Sequence, residues 1–168
     1  MRSGKVIAVI ALLALVVMSS TGCGLLVKNA VENATGVHVN ENGNSVTVTG
    51  KNGTASLSSQ EGKLPDGLPA DVPAYSGTIK SSATIAADQG TNYTFAIETG
   101  DDVSTVQSWY KDKLTSNGWT VTGTVNGGGE SAMVSAKKNG EKDNIVVTIG
   151  KDSSTSKTTI AVIVDIKK

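Results

Sequence analysis

Apolar and polar positions alternate in three rhythms along this 168-residue chain. From Thr78 the period is two. "TIKSSATIAA" reads as a strand, Asp88-Gln89-Gly90 as a turn and "NYTFAIET" as a second strand, with Tyr93, Phe95 and Ile97 sharing one face. The period then changes. In "TGDDVSTVQSWYKDKLTSNGW", Val103, Val106, Tyr110 and Leu114 form one helical stripe with Trp109 at its flank. Asp101 and Asp102 suit the positive N-terminal end of that helix, and Asn117-Gly118 supplies its stop. The two-residue period returns in four strands near residues 119–125, 131–138, 144–150 and 158–167. In the last of these, Ile160, Val162, Val164 and Ile166 share one face, as do Ile145, Val147 and Ile149 in the strand before. One apolar face backed by a Thr/Ser/Lys face predicts an antiparallel sheet covered on one side, and the helix is the obvious cover. The predicted class is α+β, one helix packed on an antiparallel sheet in the order β-β-α-β-β-β-β.

Upstream the alternation is weaker. Val37 and Val39 alternate, Asn42-Gly43 turns the chain, and Val46 and Val48 alternate again, which signals a hairpin. A further turn at Lys51-Asn52-Gly53 predicts a third strand ending near Leu57, so a small N-terminal β-hairpin or meander precedes the main domain. Between the two lies "KLPDGLPADVPAYSG", where Pro65, Pro69 and Pro73 recur every fourth residue and each follows an apolar one: Leu64, Leu68, Val72. Proline pushes its predecessor toward extended conformations. Three regularly spaced apolar residues argue for a segment lying along the main domain rather than a bare spacer. The expected organisation is a signal over 1–22, a tether over 23–36, the meander over 37–59, a proline-containing linker over 60–77 and the α+β domain over 78–168.

The third rhythm is an unbroken apolar run, Val6 to Met18, after the positively charged Met1-Arg2-Ser3-Gly4-Lys5 and before the small residues Ser19-Ser20-Thr21-Gly22. This is the pattern of a secretory signal, and the run falls short of the ~20 residues of a membrane-spanning helix. The chain's single cysteine, Cys23, follows at once. A small residue before cysteine at the end of a signal resembles the bacterial lipobox, with Ser20 standing where leucine is preferred. The resemblance implies a diacylglyceryl group on the Cys23 thiol and cleavage just before it. Two acyl chains give stable anchoring where one is marginal. Such a chain keeps no thiol for a disulfide, so its core alone must hold the fold.

Composition narrows the chemistry. The chain has 15 basic and 15 acidic residues, and removing Arg2 and Lys5 with the signal leaves 13 against 15. No basic patch stands out, so nucleic acid is not an expected partner. The one histidine, His38, alternates with Val37 and Val39 in the polar hairpin and is expected to face solvent, so the serines and threonines have no visible base. One histidine and scattered acids do not make a zinc or EF-hand site; only Asp101-Asp102 stand together. "NENGNS" reads as a hairpin turn, and Asn126-Gly127-Gly128-Gly129 lacks the lysine and following helix of a phosphate loop. No cofactor or metal and no catalytic residue is assigned. Trp109 and Trp119 remain. Trp119 is expected to close the core after the helix, and Trp109 is the candidate surface contact.

The set "LPADVPAYSG", "VSTVQSWYKDKLTSNGW", "AMVSAKKNG" and "NIVVTIG" resembles a group of small bacterial lipoproteins. The matching positions are Pro73, Tyr75, Gly77, Tyr110, Leu114, Gly118 and Trp119, within roughly Leu64 to Lys168. The resemblance implies an envelope location and a helix-on-sheet domain, and no activity. The expectation is a non-enzymatic binding or interaction module on the outer face of the cytoplasmic membrane, with an outer membrane as the alternative location. It would be lipid-anchored through Cys23, with an envelope protein or glycan as partner. A structural accessory pairing through exposed edge strands is the alternative, and a metal-dependent hydrolase using Asp101 and Asp102 a remote one.

Overall fold

The computed structural model describes residues 38–42, 45–50 and 53–168. The signal, Cys23, the tether and the turn residues 43–44 and 51–52 lie outside the described residues. Nine strands form one antiparallel sheet. They are β1 (His38–Asn42), β2 (Ser45–Gly50), β3 (Gly53–Gln60), β4 (Thr78–Ala87), β5 (Gly90–Thr99), β6 (Thr120–Gly127), β7 (Ser131–Lys138), β8 (Asp143–Lys151) and β9 (Thr158–Lys167). The single described helix, α1 (Val103–Ser116), comes between β5 and β6. The class is α+β, with one helix on an antiparallel sheet.

The spatial order is β1-β2-β3-β4-β5-β9-β8-β7-β6. Helix α1 carries the chain from β5 to the far edge, and three hairpin steps bring it back until β9 lies beside β5. The sequence pattern leaves open whether the N-terminal meander packs on the rest; β3 pairs with β4 from Ala55↔Ala87 to Gln60↔Ser82, so the meander extends the same sheet.

The two-residue period becomes three apolar rows across the central strands. Tyr93, Val164, Ile145 and Ala136 are aligned, as are Phe95, Val162, Val147 and Val134, and Ile97, Ile160, Ile149 and Ala132. All but Tyr93 are buried. Helix α1 lies over β6, β7 and β8, with Val103, Val106, Gln107, Tyr110 and Leu114 turned inward. The helical stripe and the three rows meet in one cluster. Gln107 is the polar member that the stripe did not reveal. Its Nε2 donates to the carbonyls of Val125 (3.0 Å) and Met133 (3.4 Å), tying the helix to β6 and β7. The helix ends where Gly118 takes φ +82°, a left-handed conformation that suits glycine, and Trp119 N donates to Leu114 O at 2.9 Å.

Candidate functional site

The proline-rich segment 61–77 forms a strap alongside the helix. Its four-residue period has a local cause: Leu68 N donates to Pro65 O and Val72 N to Pro69 O, so Pro65 and Pro69 each open a tight turn. The turns bring Leu64, Leu68 and Val72 round to the core, where Val72 is buried and the other two half-buried.

Three clasps fix the strap. Near the helix C-terminus, Asp71 O accepts from Trp119 Nε1 (3.1 Å) and Asn117 Nδ2 (3.0 Å). Beside it, Lys138 Nζ reaches Asp71 Oδ2 at 2.5 Å and Asn117 O at 2.9 Å, 5.8 Å from the Trp119 ring centre. Midway, Tyr75 N donates to the buried Tyr110 hydroxyl at 3.3 Å. Near the helix N-terminus, the Tyr75 hydroxyl donates to Asp101 Oδ2 at 2.6 Å. The strap thus runs antiparallel to α1. Of the positions carrying the lipoprotein resemblance, Tyr75, Tyr110 and Trp119 take part in these clasps.

The last clasp builds a candidate site. Asp101 holds the turn between β5 and α1. Its amide and carboxylate both bond the Thr99 hydroxyl, and its carbonyl accepts from the buried Thr158 hydroxyl at 2.6 Å. Next to it Lys157 Nζ meets Glu98 Oε1 at 2.7 Å. Residues 76–78, 98–101 and 157 line an open polar cleft of about 360 Å³. The rings of Tyr75, Trp109 and Tyr110 form a cluster beside Asp101. Trp109 meets Tyr75 edge-on at 4.9 Å and Tyr110 at 5.0 Å, and Tyr75 stacks on Tyr110 at 6.3 Å.

Donation to the Asp101 carboxylate, with burial adding, pushes the Tyr75 hydroxyl up to about 12. Burial raises Tyr110 further. The bond from Lys157 holds Glu98 below the usual carboxylate range. These perturbations follow from local pairing.

The sequence candidates separate in the fold. Trp119 is buried at the end of the helix and Trp109 is half-buried in the aromatic cluster. Asp101 and Asp102 do not converge on a common point. The Asp101 carboxylate is held by Tyr75 and Thr99, and Asp102 occupies the N-cap in extended conformation without a side-chain cap bond. Among the described residues, no three His, Cys, Asp or Glu side chains gather as a metal site. His38 opens β1, at the edge of the sheet remote from α1. Cys23 lies outside the described residues. Sequence reading missed the Tyr75–Asp101 pair and the Glu98–Lys157 pair. The Pro-x-Tyr-x-Gly motif was the available signal for the first; nothing local announces the second, 59 residues apart.

No curated protein and no solved structure matches the chain. A family model described as START domain-like matches residues 79–158. The matched stretch runs from β4 through α1 to the first residue of β9, so over that span the chain is similar to a START domain-like family.

Proposed function

We propose that the chain is an exported, lipid-anchored binding module whose contact surface is the half-buried Trp109–Tyr75 pair and the polar cleft beside Asp101. The observation carrying this reading is the juxtaposition of an aromatic cluster, a hydroxyl-bonded carboxylate and the Glu98–Lys157 pair at one end of the helix. Sites of this kind pair apolar surface with a few placed polar groups. The START domain-like similarity supports a ligand-binding helix-on-sheet module. The seam between helix and sheet is packed with side chains, which favours the rim of the helix as the contact surface.

The anchor rests on the sequence around Cys23 and the partner class, an envelope glycan or protein, on the expected location. A binding role is favoured over catalysis because the Asp101 carboxylate is already engaged by two hydroxyls. An accessory role through edge pairing is weakened at β6. Its ladder with β7 is irregular between Val121 and Gly123, a device that blunts an edge.

Two measurements test the reading. The intact mass of detergent-extracted protein should begin at Cys23 and carry acyl chains; an unacylated mass removes the anchor. Soluble cell-wall fragments titrated against full-length protein should change the fluorescence of Trp109, with Trp119→Phe isolating that signal. A saturable change lost in Asp101→Ala supports the cleft, and no change with fragments or envelope proteins refutes it.

A further inference from the structure

The described residues include three exposed large hydrophobic side chains: Val125 (53% exposed), Ile163 (45%) and Ile85 (39%). All three lie on the same side of the sheet, the one opposite α1. The register shows this directly: Ile163 lies between the core residues Val162 and Val164, Val125 pairs with Met133, which lies between the core residues Ala132 and Val134, and Ile85 pairs with Asn92, which alternates with the helix-facing Tyr93. Two cross-strand rows dominate this face between β4 and β6. One runs from Ala83 through Ile163 and Val146 to Gly123. The next runs from Ser81 through Ala161 and Met133 to Val125. Neither row contains a charged residue. The charges sit in the rows above and below, at Glu98, Asp165 and Lys137, and at the β4 irregularity, where Lys80 stands near Glu98. A charge-free centre inside a charged rim is the composition of an association surface.

The face is also self-complementary. The six strands are ordered β4-β5-β9-β8-β7-β6, so their midline falls between β9 and β8. A two-fold axis along that line, in the plane between two facing sheets, lays β9 on β8, β5 on β7 and β4 on β6 of a second copy. Small residues then meet larger ones in the second row, and the two branched residues Ile163 and Val146 meet at the centre of the first. Ala96 faces the partner's Met133, Ser81 faces the partner's Val125, and Ile163 faces the partner's Val146. At the rim, Asp165 faces the partner's Asn144, and Asn92 faces the partner's Lys137. No like charges meet at these positions. Six strands at about 4.8 Å and four rows at about 6.8 Å cover roughly 800 Å² per partner, the size of a standard specific interface. Two sheets with strands nearly aligned and about 10 Å apart are a common packing.

We infer that the helix-free face of β4–β9 is a homodimer interface, in which two copies form a sandwich with their helices facing outward and the Glu98 edge of each cleft at the rim of the contact. The isologous contact needs no partner residue beyond those of a second identical chain.

The test uses the full-length protein in detergent, with mass measured by sedimentation equilibrium or light scattering after correction for bound detergent. The wild type is expected to be dimeric at micromolar concentration. Ile163→Glu places a charge at the centre of the contact and should weaken association at least about tenfold. Lys111→Glu, on the exposed outer side of α1, should leave association unchanged. Far-UV and near-UV circular dichroism check that both variants fold. As a second readout, Val125→Glu, at an exposed position of the same face, should weaken association as well. A monomeric wild type, or a dimer indifferent to a folded Ile163→Glu variant, overturns the proposal. A dimeric wild type that binds neither cell-wall fragments nor envelope proteins would overturn only the cleft reading.

Discussion

Gly77 is the point where the strap drops onto β5, and it sets the distance between cleft wall and sheet. A Cβ built there would stand 2.5 Å from Glu98 O and 2.8 Å from Ile97 Cγ2. The first is a backbone atom in the middle of the sheet, where β5 is paired on both sides. The second belongs to a buried core residue. Neither yields by rotating a flexible side chain, so Gly77→Ala must shift the strap away from β5. Overpacking of this kind costs about 1–3 kcal/mol, and for a chain of this size a cost near 2 kcal/mol lowers Tm by about 4–8 °C. The control lies on the same cleft. A Cβ at Gly100 would meet nothing within 4 Å, and its backbone is not left-handed. Gly100→Ala should therefore stay within about 0.5 kcal/mol of wild type. Thermal unfolding followed by near-UV circular dichroism compares the two, because Trp119 and Tyr110 report the clasped core. Equal Tm values for wild type, Gly77→Ala and Gly100→Ala would refute the claim that close approach of strap and sheet selects glycine at position 77.

The remaining predictions concern single groups. Thr84 Oγ1 is buried without a hydrogen-bond partner, so Thr84→Val should raise stability by about 1 kcal/mol in denaturant titration, and an unchanged midpoint would count against it. Ultraviolet absorbance titration should find one tyrosine ionising near 12; Asp101→Asn should return it toward the ordinary value of about 10, and Tyr75→Phe should remove it. Because that pKa is raised on folding, its contribution to stability is complete below about pH 10 and is lost as pH rises toward 12. Trp119→Phe keeps the buried ring but removes the bond to Asp71 O, which Asn117 still satisfies; the expected cost is about 0.5–1.5 kcal/mol, and adding Asn117→Ala should cost more than the two single changes together.

Some of this structure was written in local rhythm and some was not. The strands from Thr78 onward and the helix were legible because each has one apolar face, and burial against a single layer requires the period to be two or 3.6. Tyr93, Phe95 and Ile97 sit in β5 where the alternation puts them. The stripe Val103–Leu114 is the buried side of α1. Gln107 escaped because a buried amide has no apolar signature; only the carbonyls of Val125 and Met133, folded back from the next two strands, explain it. The joining of the meander to β4 escaped for a related reason. Edge-to-edge pairing uses backbone groups, which every residue carries, so side-chain pattern cannot specify the neighbour.

The same limit applies to the candidate site. Tyr75, Asp101 and Trp109 come from the strap, the β5–α1 turn and the helix, and no spacing between them encodes their meeting. What does encode it is the demand of the strap itself. Prolines cap its turns, Val72 enters the core, and Gly77 allows the drop onto β5, so Tyr75 is held over the helix N-terminal half with its amide on Tyr110 and its hydroxyl on Asp101. The residues that close the fold therefore also build the rim of the cleft. A substitution that loosens the clasp would impair binding indirectly, whereas Trp109, half-buried and without a hydrogen bond to the strap, reports the contact more directly. Comparing Trp109→Phe with Tyr75→Phe separates the two effects. The first should reduce binding with little loss of Tm. The second should lower both together, because removing one hydroxyl frees the Asp101 carboxylate and releases the strap at the helix N-terminus.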